Sequence, residues 1–280
     1  MVARTQGARG RRRYAPKVPK TRLDALLVDR GLFESRSRAA AAVLAGSIRI
    51  GGDGLRADKP GQLVAGDVEL DVEESLPYVS RGGVKLANAL DALGVDAAGR
   101  RCLDVGASTG GFTDCLLQRG AAHVVALDVA YGALHWRIRT DERVTVVERS
   151  NARRLEPADL PYRPELIAVD VSFISLAKVL PAVLGCAADR FDCLAMVKPQ
   201  FEVGRERLPK GAVVRSAEDR RGAALEVARC AAGLGHSIAG FAPSGLPGPA
   251  GNRETFAWIA EAGRPGAVGD LEAALAGVDV

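Results

Sequence analysis

Four ionisable residues have types and positions that could support proton transfer. Asp170 and Lys198 each follow an apolar run of strand character, and a lysine among apolar neighbours is unusual. Lys85 follows a pair of glycines, and Glu254 lies in a Gly- and Pro-rich stretch. Each of them alone could be an ordinary surface charge. Lysines and carboxylates are nevertheless residue types that can accept or donate protons.

A glycine-rich turn, residues 106–111 in CLDVGASTGGFTDCLLQRG (102–120), separates a strand-like run from a helix-like run. The segment from Gly106 to Gly110 formally matches the G-x-S-x-G elbow of serine hydrolases, and His236 follows downstream. That elbow normally follows several strands, whereas this turn follows the first strand of the alternating region. Gly111 extends the turn further, as if the backbone had to approach a ligand. The pattern therefore disfavours a hydrolase.

The turn also differs from a dinucleotide fingerprint, because Ser108 replaces the middle glycine that lets a pyrophosphate approach. Asp128, at the end of the next predicted strand, suits the acid that binds ribose hydroxyls. A cofactor with a ribose and no pyrophosphate explains both features, and S-adenosylmethionine is such a cofactor. The predicted cofactor-binding residues are Gly106, Ala107, Ser108, Gly110, Gly111, Asp128, Asn151 and Asp170.

Strands and helices alternate from residue 79 onward, which predicts a doubly wound, mainly parallel sheet. Ligands of such sheets bind at the carboxyl ends of the strands, so Asp170 and Lys198 are expected to face one crevice. The predicted strands are 101–105, 123–128, 144–148, 166–170, 192–197 and 237–244. The predicted helices are 83–93, 110–119, 174–184 and 217–234.

The N-terminal region has a different character. Residues 1–20 predict a basic disordered arm, residues 21–72 a small domain of two helices and a small sheet, and residues 73–78 a linker to the domain 79–280. In the small domain, Ser35 is expected to cap a helix through Leu44 that Gly46 ends. Its arginines indicate a nucleic-acid-binding module. The candidate contacts are Arg22, Arg36, Arg38 and Arg49.

Charge is distributed unevenly along the chain, whose formal net charge is +4. Residues 1–22 hold eight Lys or Arg and no acid, and the remainder carries 30 bases against 34 acids. A cationic arm on a mildly acidic body suggests contact with a polyanion. A solubilising tail would explain the same feature equally well.

Several function classes are disfavoured by composition. No apolar run reaches the roughly 18 residues that span a bilayer, and no apolar signal region begins the chain. A cytoplasmic location is therefore expected, with an Arg-rich transit peptide as the alternative. The five cysteines form no C-x-x-C pair, and the chain has only three histidines. The sequence therefore predicts neither a disulfide framework nor a metal site.

Parts of the chain resemble two known families. Residues 21–72 resemble the small RNA-binding domain named after ribosomal protein S4. Nearly the whole chain, from Arg22 to Trp258, resembles the TlyA group of ribosomal RNA 2′-O-methyltransferases, whose catalytic domain is of the FtsJ type. The first resemblance rests on RLD (22–24), GL (31–32), SR (35–36), GSIRI (46–50) and KPG (59–61). The second rests on SRGGVKL (80–86), DVGASTGGFTD (104–114), DVAYG (128–132), DVSFIS (170–175), VKPQFE (197–202) and PGPAGN (247–252) with Glu254.

The resemblance implies a Rossmann-like methyltransferase domain with a seven-stranded sheet, preceded by an S4-like domain. It implies S-adenosylmethionine-dependent methylation of ribose 2′-oxygens, at cytidines, in 16S and also 23S ribosomal RNA. It implies that Lys85, Asp170, Lys198 and Glu254 form the catalytic tetrad. Because a neutral lysine amine can take a proton from a ribose hydroxyl, Lys198 is the candidate base, with Lys85 lowering its pKa or stabilising the developing charge. The expected partners are ribosomal subunits, without membrane or metal, and the expected state is a monomer.

The linker departs from the family pattern, because Ser75-Leu76-Pro77-Tyr78 stands where relatives tend to carry an Arg and a Trp. The competing hypothesis from another class is an RNA-binding ribosome-assembly factor with a vestigial methyltransferase fold. Some relatives are called haemolysins, but no amphipathic or spanning segment of this sequence indicates membrane lysis.

Overall fold

The computed structural model describes residues 18–45, 47–52, 54–72, 77–204, 206, 208 and 211–280. The chain divides into two compact units, with the boundary between Ser75 and Leu76. Most of the predicted basic arm, the predicted helix stop at Gly46 and most of the predicted linker lie outside the described residues.

The described part of the first unit contains two helices and two small antiparallel sheets around the buried side chains of Leu23, Leu27 and Ile48. Strand β1 pairs with β4, and β2 pairs with both β3 and β5. The Ser35 hydroxyl accepts a hydrogen bond of 3.3 Å from the Arg38 amide, which caps the second helix. The elements are β1 Lys20–Arg22, α1 Leu23–Asp29, α2 Arg36–Ala45, β2 Ile48–Ile50, β3 Leu55–Arg56, β4 Leu63–Ala65 and β5 Leu70–Val72. The resemblance of this unit to an S4 domain stays a prediction.

The second unit is built on a seven-stranded sheet with strand order β11-β12-β10-β9-β6-β7-β8. Strand β12 runs antiparallel to both of its neighbours, and the four other neighbouring pairs are parallel. The elements are α3 Arg81–Leu93, β6 Arg101–Val105, α4 Gly111–Gln118, β7 His123–Leu127, α5 Trp136–Arg139, β8 Val144–Val147, β9 Leu166–Val169, α6 Leu180–Gly185, β10 Asp192–Val197, α7 Pro199–Glu202, α8 Ala217–Gly233, β11 Ser237–Pro243, β12 Thr255–Ala260 and α9 Leu271–Ala276. The predicted α/β class with a mainly parallel seven-stranded sheet is confirmed.

Both faces of the sheet are covered, which explains why the central strands are almost continuously apolar. All four residues of β9 and all six residues of β10 are buried. One apolar cluster includes Leu103, Ile167 and Val227, and the other includes Leu86, Leu116 and Phe256. The sheet is therefore a rigid platform, and the functional groups follow the ends of its strands.

The helix predicted over 174–184 differs from the structure. It is divided into a 3₁₀ turn, Leu176–Lys178, and helix α6, in which Pro181 stands near the N-terminus. Pro181 has no amide to donate to the carbonyl of Ala177, four residues earlier, which explains the break. The short helices α5, α7 and α9 were not predicted, because four to six residues give too little periodicity.

The first turns of α3 and α4 lie in direct contact because both contain glycine at the contact. A Cβ built on Gly83 would lie 2.4 Å from Tyr78 Cβ and 2.7 Å from the carbonyl oxygen of Gly111. A Cβ on Gly111 would lie 2.1 Å from the Ser80 hydroxyl. The glycine-rich turn that opens α4 is thus held tightly against α3, the helix that carries Lys85.

Substituting Gly83→Ala should destabilise the second unit, since the new methyl group would overlap the backbone of α4. We expect a loss of about 1–3 kcal/mol in the free energy of unfolding, measured by urea denaturation. Gly82→Ala is the matched control, because its Cβ would meet no atom closer than 3.4 Å. The control should be neutral or slightly stabilising, since alanine favours helix over glycine. Equal effects of the two substitutions would contradict the packing argument.

Candidate active site

Two adjoining cavities lie at the carboxyl edge of the sheet. Their volumes are about 520 and 410 Å³. Gly106, Ser108, Asp170 and Ser172 line both of them, so these four residues form a shared wall. We call the larger one, which Lys85, Lys198 and Glu254 also line, the lysine cavity, and the other one, which Asp128 and Asn151 also line, the aspartate cavity.

Two lysine–carboxylate pairs meet in the lysine cavity. Lys85 on α3 forms an ion pair with Glu254, which precedes β12, and the two residues are only 6% and 3% exposed. The Lys198 amine, after β10, lies 2.5 Å from the Asp170 carboxylate, after β9. The structure therefore brings all four predicted catalytic residues to one cavity and sorts them into two ion pairs.

The two pairs differ in their access to solvent. Both partners of the Lys85–Glu254 pair are nearly inaccessible, whereas the side chains of Lys198 and Asp170 are 12% and 25% exposed. The Lys198 amine also donates a hydrogen bond of 2.8 Å to the Ser172 hydroxyl. Because it is the more open pair, the Lys198 pair is better placed to contact a substrate.

The loop before β12 is shaped around the Glu254 carboxylate. A Cβ on Gly248 would lie 2.6 Å from Glu254 Oε1, so a larger residue here would have to displace this carboxylate. Arg81, at the start of α3, donates a hydrogen bond of 2.6 Å to the carbonyl of Pro247. The Arg81 hydrogen bond and the Lys85–Glu254 ion pair thus join α3 to this loop.

The glycine-rich turn owes its path to residues in left-handed backbone. Gly106, Ser108 and Gly110 have φ values of 88°, 49° and 94°. A Cβ on Gly106 would lie 2.2 Å from the carbonyl oxygen of Asp170, so only glycine lets the ends of β6 and β9 run so close. Gly110 packs against Leu134 and Ile138 instead of lining a cavity. Ala107 and Gly111 line the lysine cavity.

The aspartate cavity combines a carboxylate with an apolar wall. The two oxygens of Asp128 accept hydrogen bonds of 2.7 Å each, one from the Ser108 amide and one from the Ala130 amide. Asn151 also lines the cavity, and its side-chain oxygen accepts from the Arg153 amide at 3.1 Å. Leu127 and Ile174 are among the apolar lining residues. Such a lining suits a nucleoside, which presents hydroxyls at one end and a flat ring at the other.

Asp104, the last residue but one of β6, is a notable group that sequence reasoning did not place in the site. It is fully buried, and its Oδ2 accepts hydrogen bonds from the amide and hydroxyl of Thr113 at 2.9 and 2.6 Å. Its Oδ1 has no hydrogen-bond partner among the described residues. Burial, with a smaller effect of the nearby Asp170 charge, raises the pKa of Asp104 to about 7. The acid was visible in the sequence, but its lack of a partner was not.

The four arginines predicted to bind RNA lie in the first unit and also have partners within it. Arg22 and Arg36 both donate to the buried carboxylate of Asp24, at 2.8 and 3.0 Å. Arg38 pairs with Glu34 on the surface at 2.7 Å, and Arg49 donates to the carbonyl of Gly54 at 3.1 Å. The side chains of Arg22, Arg36 and Arg38 are more than half exposed, so each keeps part of its guanidinium accessible.

The described residues offer neither a metal site nor a membrane-spanning helix. No group of three or more His, Cys, Asp or Glu side chains there is arranged to hold a metal ion. In the same part of the chain, no helix has both the length and the apolar character needed to cross a bilayer.

A doubly wound sheet with a glycine-rich turn after its first strand and an acid after its second defines a Rossmann-like nucleoside-binding domain. The model of the FtsJ-like methyltransferase family matches residues 78–260. The chain is 51% identical to a 16S/23S rRNA (cytidine-2′-O)-methyltransferase TlyA of Mycobacterium tuberculosis over 242 residues, which cover 86% of this chain and 90% of the relative. It is also 37% identical to Hemolysin A of Brachyspira hyodysenteriae over 69% of this chain and 80% of the relative.

Among solved structures, a candidate hemolysin from Streptococcus thermophilus superposes with a TM-score of 0.69 and 38% identity, covering 92% of this chain and 95% of that one. The chain therefore belongs to the FtsJ-like methyltransferase family and, within it, to the TlyA group. The family predicted from the sequence motifs is confirmed, and so is the prediction that the chain is an enzyme of this family.

The raised pKa of Asp104 predicts how stability depends on pH. The group ionises near pH 4 in the unfolded chain and near pH 7 in the folded one, so the folded state holds more protons in between. The free energy of unfolding should therefore fall as the pH rises from 4 to 7, by at most about 4 kcal/mol from this group. Asp104→Asn removes the titration and leaves a pH-independent cost for one unpaired amide.

The measurement is urea unfolding of the wild type and of Asp104→Asn at pH 5 and pH 8, without added ligand. The variant should be the less stable protein at pH 5, and it should gain relative to the wild type at pH 8. Parallel pH profiles for the two proteins would show that Asp104 does not titrate in this range.

Proposed function

We propose that this enzyme transfers a methyl group from S-adenosylmethionine to the ribose 2′-hydroxyl of a cytidine in ribosomal RNA. The observation that carries the proposal is the convergence of two lysine–carboxylate pairs in a cavity that adjoins the glycine-rich turn. The relative from Mycobacterium tuberculosis is named as a 16S/23S rRNA methyltransferase, which supports 16S and 23S RNA as substrates. An enzyme acting on ribosomal RNA would work in the cytoplasm, where ribosomes are found.

The residues present suit this cofactor. Asp104 has an oxygen without a partner beside the glycine-rich turn, and Gly106 keeps the space next to Asp170 free of a side chain. Asp128 would bind the ribose hydroxyls, Asn151 would border the adenosine, and the turn would run along the amino-acid end. The negative charge of Asp170, which lines both cavities, suits a ligand with positively charged sulfonium and ammonium groups. When bound, the cofactor supplies an electrophilic methyl group.

The protein then has three tasks: to position the ribose, remove its proton and stabilise the developing charge. The 2′-oxygen must be held in line with the methyl carbon, and positioning of this kind can supply much of the rate enhancement. Lys198 would accept the proton, with Asp170 orienting its amine. Lys85, held by the buried Glu254, would provide fixed positive charge near the oxygen.

RNA binding is assigned to the arginines of the first unit. Arg22, Arg36, Arg38 and Arg49 would contact phosphates, which bind through charge and carry no base information. Double-stranded RNA is recognised mostly by shape, and reactive nucleotides must be taken out of a stack at a cost of a few kcal/mol. The first unit would supply binding energy that offsets this cost.

Methyl transfer should depend on Lys198. With labelled S-adenosylmethionine and ribosomal subunits that lack the modification, wild type should label ribose 2′-oxygen. Lys198→Ala should lower the rate by about 100-fold or more, the range expected for loss of a general base. Lys198→Arg should be equally impaired, because a guanidinium keeps its proton.

Cofactor affinity, measured by calorimetry, is the control for both variants and should remain close to that of the wild type. Normal rates in both variants would contradict the assignment of Lys198 as the base. Cofactor binding without label on either subunit would favour the RNA-binding assembly factor instead.

RNA affinity should depend on Arg38 and on salt. Arg38→Gln should weaken RNA binding several-fold and reduce the slope of log affinity against log salt by about 1, if this side chain neutralises one phosphate. Stability and cofactor affinity should not change, because Arg38 is 70% exposed and pairs only with a surface acid. Arg229→Gln is the matched control, since Arg229 pairs with surface acids in the second unit. Equal losses in the two variants would exclude a specific role of Arg38.

A further inference from the structure

We propose that Ser172 is a positioning residue that directs the lone pair of the Lys198 amine into the lysine cavity. The inference rests on the proposed function and deepens it, because it concerns the orientation of the proposed base. Ser172 belongs neither to the four predicted catalytic residues nor to the predicted cofactor set.

The contacts of the Lys198 amine are the starting point. The nitrogen lies 2.5 Å from Asp170 Oδ1 and donates to Ser172 Oγ at 2.8 Å. All three residues line the lysine cavity, and the Lys198 side chain is only 12% exposed. At the wall of the cavity that would receive the substrate hydroxyl, the amine therefore has one hydrogen-bond acceptor, Ser172 Oγ, and one close carboxylate oxygen that accepts no hydrogen bond from the described residues.

The number of protons on the amine turns these contacts into an orientation. In its neutral form, which is the form that can accept a proton, the amine has two N–H bonds and one lone pair arranged about the nitrogen. One N–H donates to Ser172, which fixes the rotation about the terminal C–N bond. The lone pair avoids the negative Asp170 carboxylate 2.5 Å away, so it takes the one remaining direction. With Asp170 alone, rotation about the terminal C–N bond would leave the lone pair free to point away from the substrate. The Ser172 hydroxyl is thus the contact that orients this base.

The segment that presents Ser172 is itself held in place. The Glu202 carboxylate accepts a hydrogen bond of 2.6 Å from the Ser175 hydroxyl and one of 2.8 Å from the Leu176 amide. Glu202 ends α7, the short helix that begins directly after Lys198. The part of the chain that carries the amine therefore also anchors the loop that carries its hydrogen-bond acceptor.

The backbone next to Ser172 also indicates that this segment is held in place. Phe173 has a φ of 64° and is 91% exposed. A left-handed conformation is unfavourable for a bulky residue and persists only where surrounding contacts enforce it. The strained residue separates Ser172, at the cavity wall, from the segment bound by Glu202. This arrangement indicates that the turn is constrained for the sake of the site.

Lys85 offers a contrast within the same cavity. It is buried against Glu254, and no serine or threonine hydroxyl of the described residues is bonded to its amine. The Lys85 amine donates to its own carboxylate, whereas the Lys198 amine donates to a neutral hydroxyl beside its carboxylate.

The step assigned to the oriented amine is a single proton transfer coupled to methyl transfer. The ribose O–H bond breaks and an N–H bond forms on Lys198. The 2′-oxygen forms a bond to the methyl carbon, and the cofactor sulfur keeps the electron pair of the bond that breaks. Ser172 remains a hydrogen-bond acceptor before and after the step and exchanges no atom.

The test compares Ser172→Ala with Ser172→Thr, which keeps a hydroxyl on the same carbon. Ser172 is exposed, so the extra methyl group of threonine has space. Ser172→Ala should lower kcat roughly 10- to 100-fold, as expected for a misdirected catalytic group, with KM for RNA and Kd for S-adenosylmethionine within about twofold of wild type. Ser172→Thr should restore kcat to within about threefold. A loss of cofactor affinity at normal kcat would overturn the proposal and make Ser172 a cofactor contact.

A second readout does not require activity. The chain has only seven lysines, so NMR of protein labelled with nitrogen-15 lysine can resolve the individual amines. The Nζ protons of Lys198 should exchange with water at least about threefold faster in Ser172→Ala than in wild type or Ser172→Thr. Lys85 is the internal control and should be unchanged in all three proteins.

The two readouts separate the possible failures. If wild type transfers no methyl group to ribose, the proposed function is wrong, and the exchange rates still decide whether Ser172 holds the amine. If Lys198 exchanges at the same rate in wild type and Ser172→Ala, the proposal is overturned whatever the activity.

Discussion

The site in the second unit depends on holding two lysine amines in one cavity, each against its own carboxylate. An ion pair that leaves water loses hydration, so a buried pair seldom stabilises a fold more than apolar side chains of similar size would. Removing one partner, however, leaves an uncompensated charge and is strongly destabilising. Net stability therefore does not explain why Lys85 and Glu254 are buried, and their burial supports the role proposed for Lys85.

The topology explains how this is achieved. Strand β12 is antiparallel to β10 and adjacent to it, so its amino end lies beside the carboxyl end of β10. Thr255 is paired with Val197, which places Glu254 next to Lys198 in register. On the other side of β10, the parallel strand β9 brings Asp170 to the same edge. In a purely parallel sheet only residues that follow strands would lie at this edge. Because β12 is antiparallel, Glu254, which precedes a strand, lies there as well.

Sequence reasoning predicted most of this site because its residues follow strands or lie in glycine-rich blocks. Asp128 and Asp170 could be placed from the ends of apolar runs, and Gly106 from the turn that follows β6. The pairing of Lys85 with Glu254 joins residues 169 positions apart and needed the resemblance to a family. Ser172 was missed because serine is common in loops, and no pattern in one sequence shows which hydroxyl faces an amine. The prediction of one helix over 174–184 was wrong for a local reason. Pro181 lacks the amide that a continuous helix would need, although the apolar periodicity suggests a helix.

The arginines of the first unit show that residue type alone does not identify a binding residue. Asp24 is buried, and its ion pairs with Arg22 and Arg36 hold the pKa of its carboxyl well below its usual range. Loss of either arginine would leave this buried carboxylate with less compensation, so such variants would change folding and binding together. Arg38 carries no such structural duty, because Glu34 is itself exposed. RNA phosphates could replace Glu34 as its partner at little cost, which makes Arg38 the residue at which binding can be separated from stability.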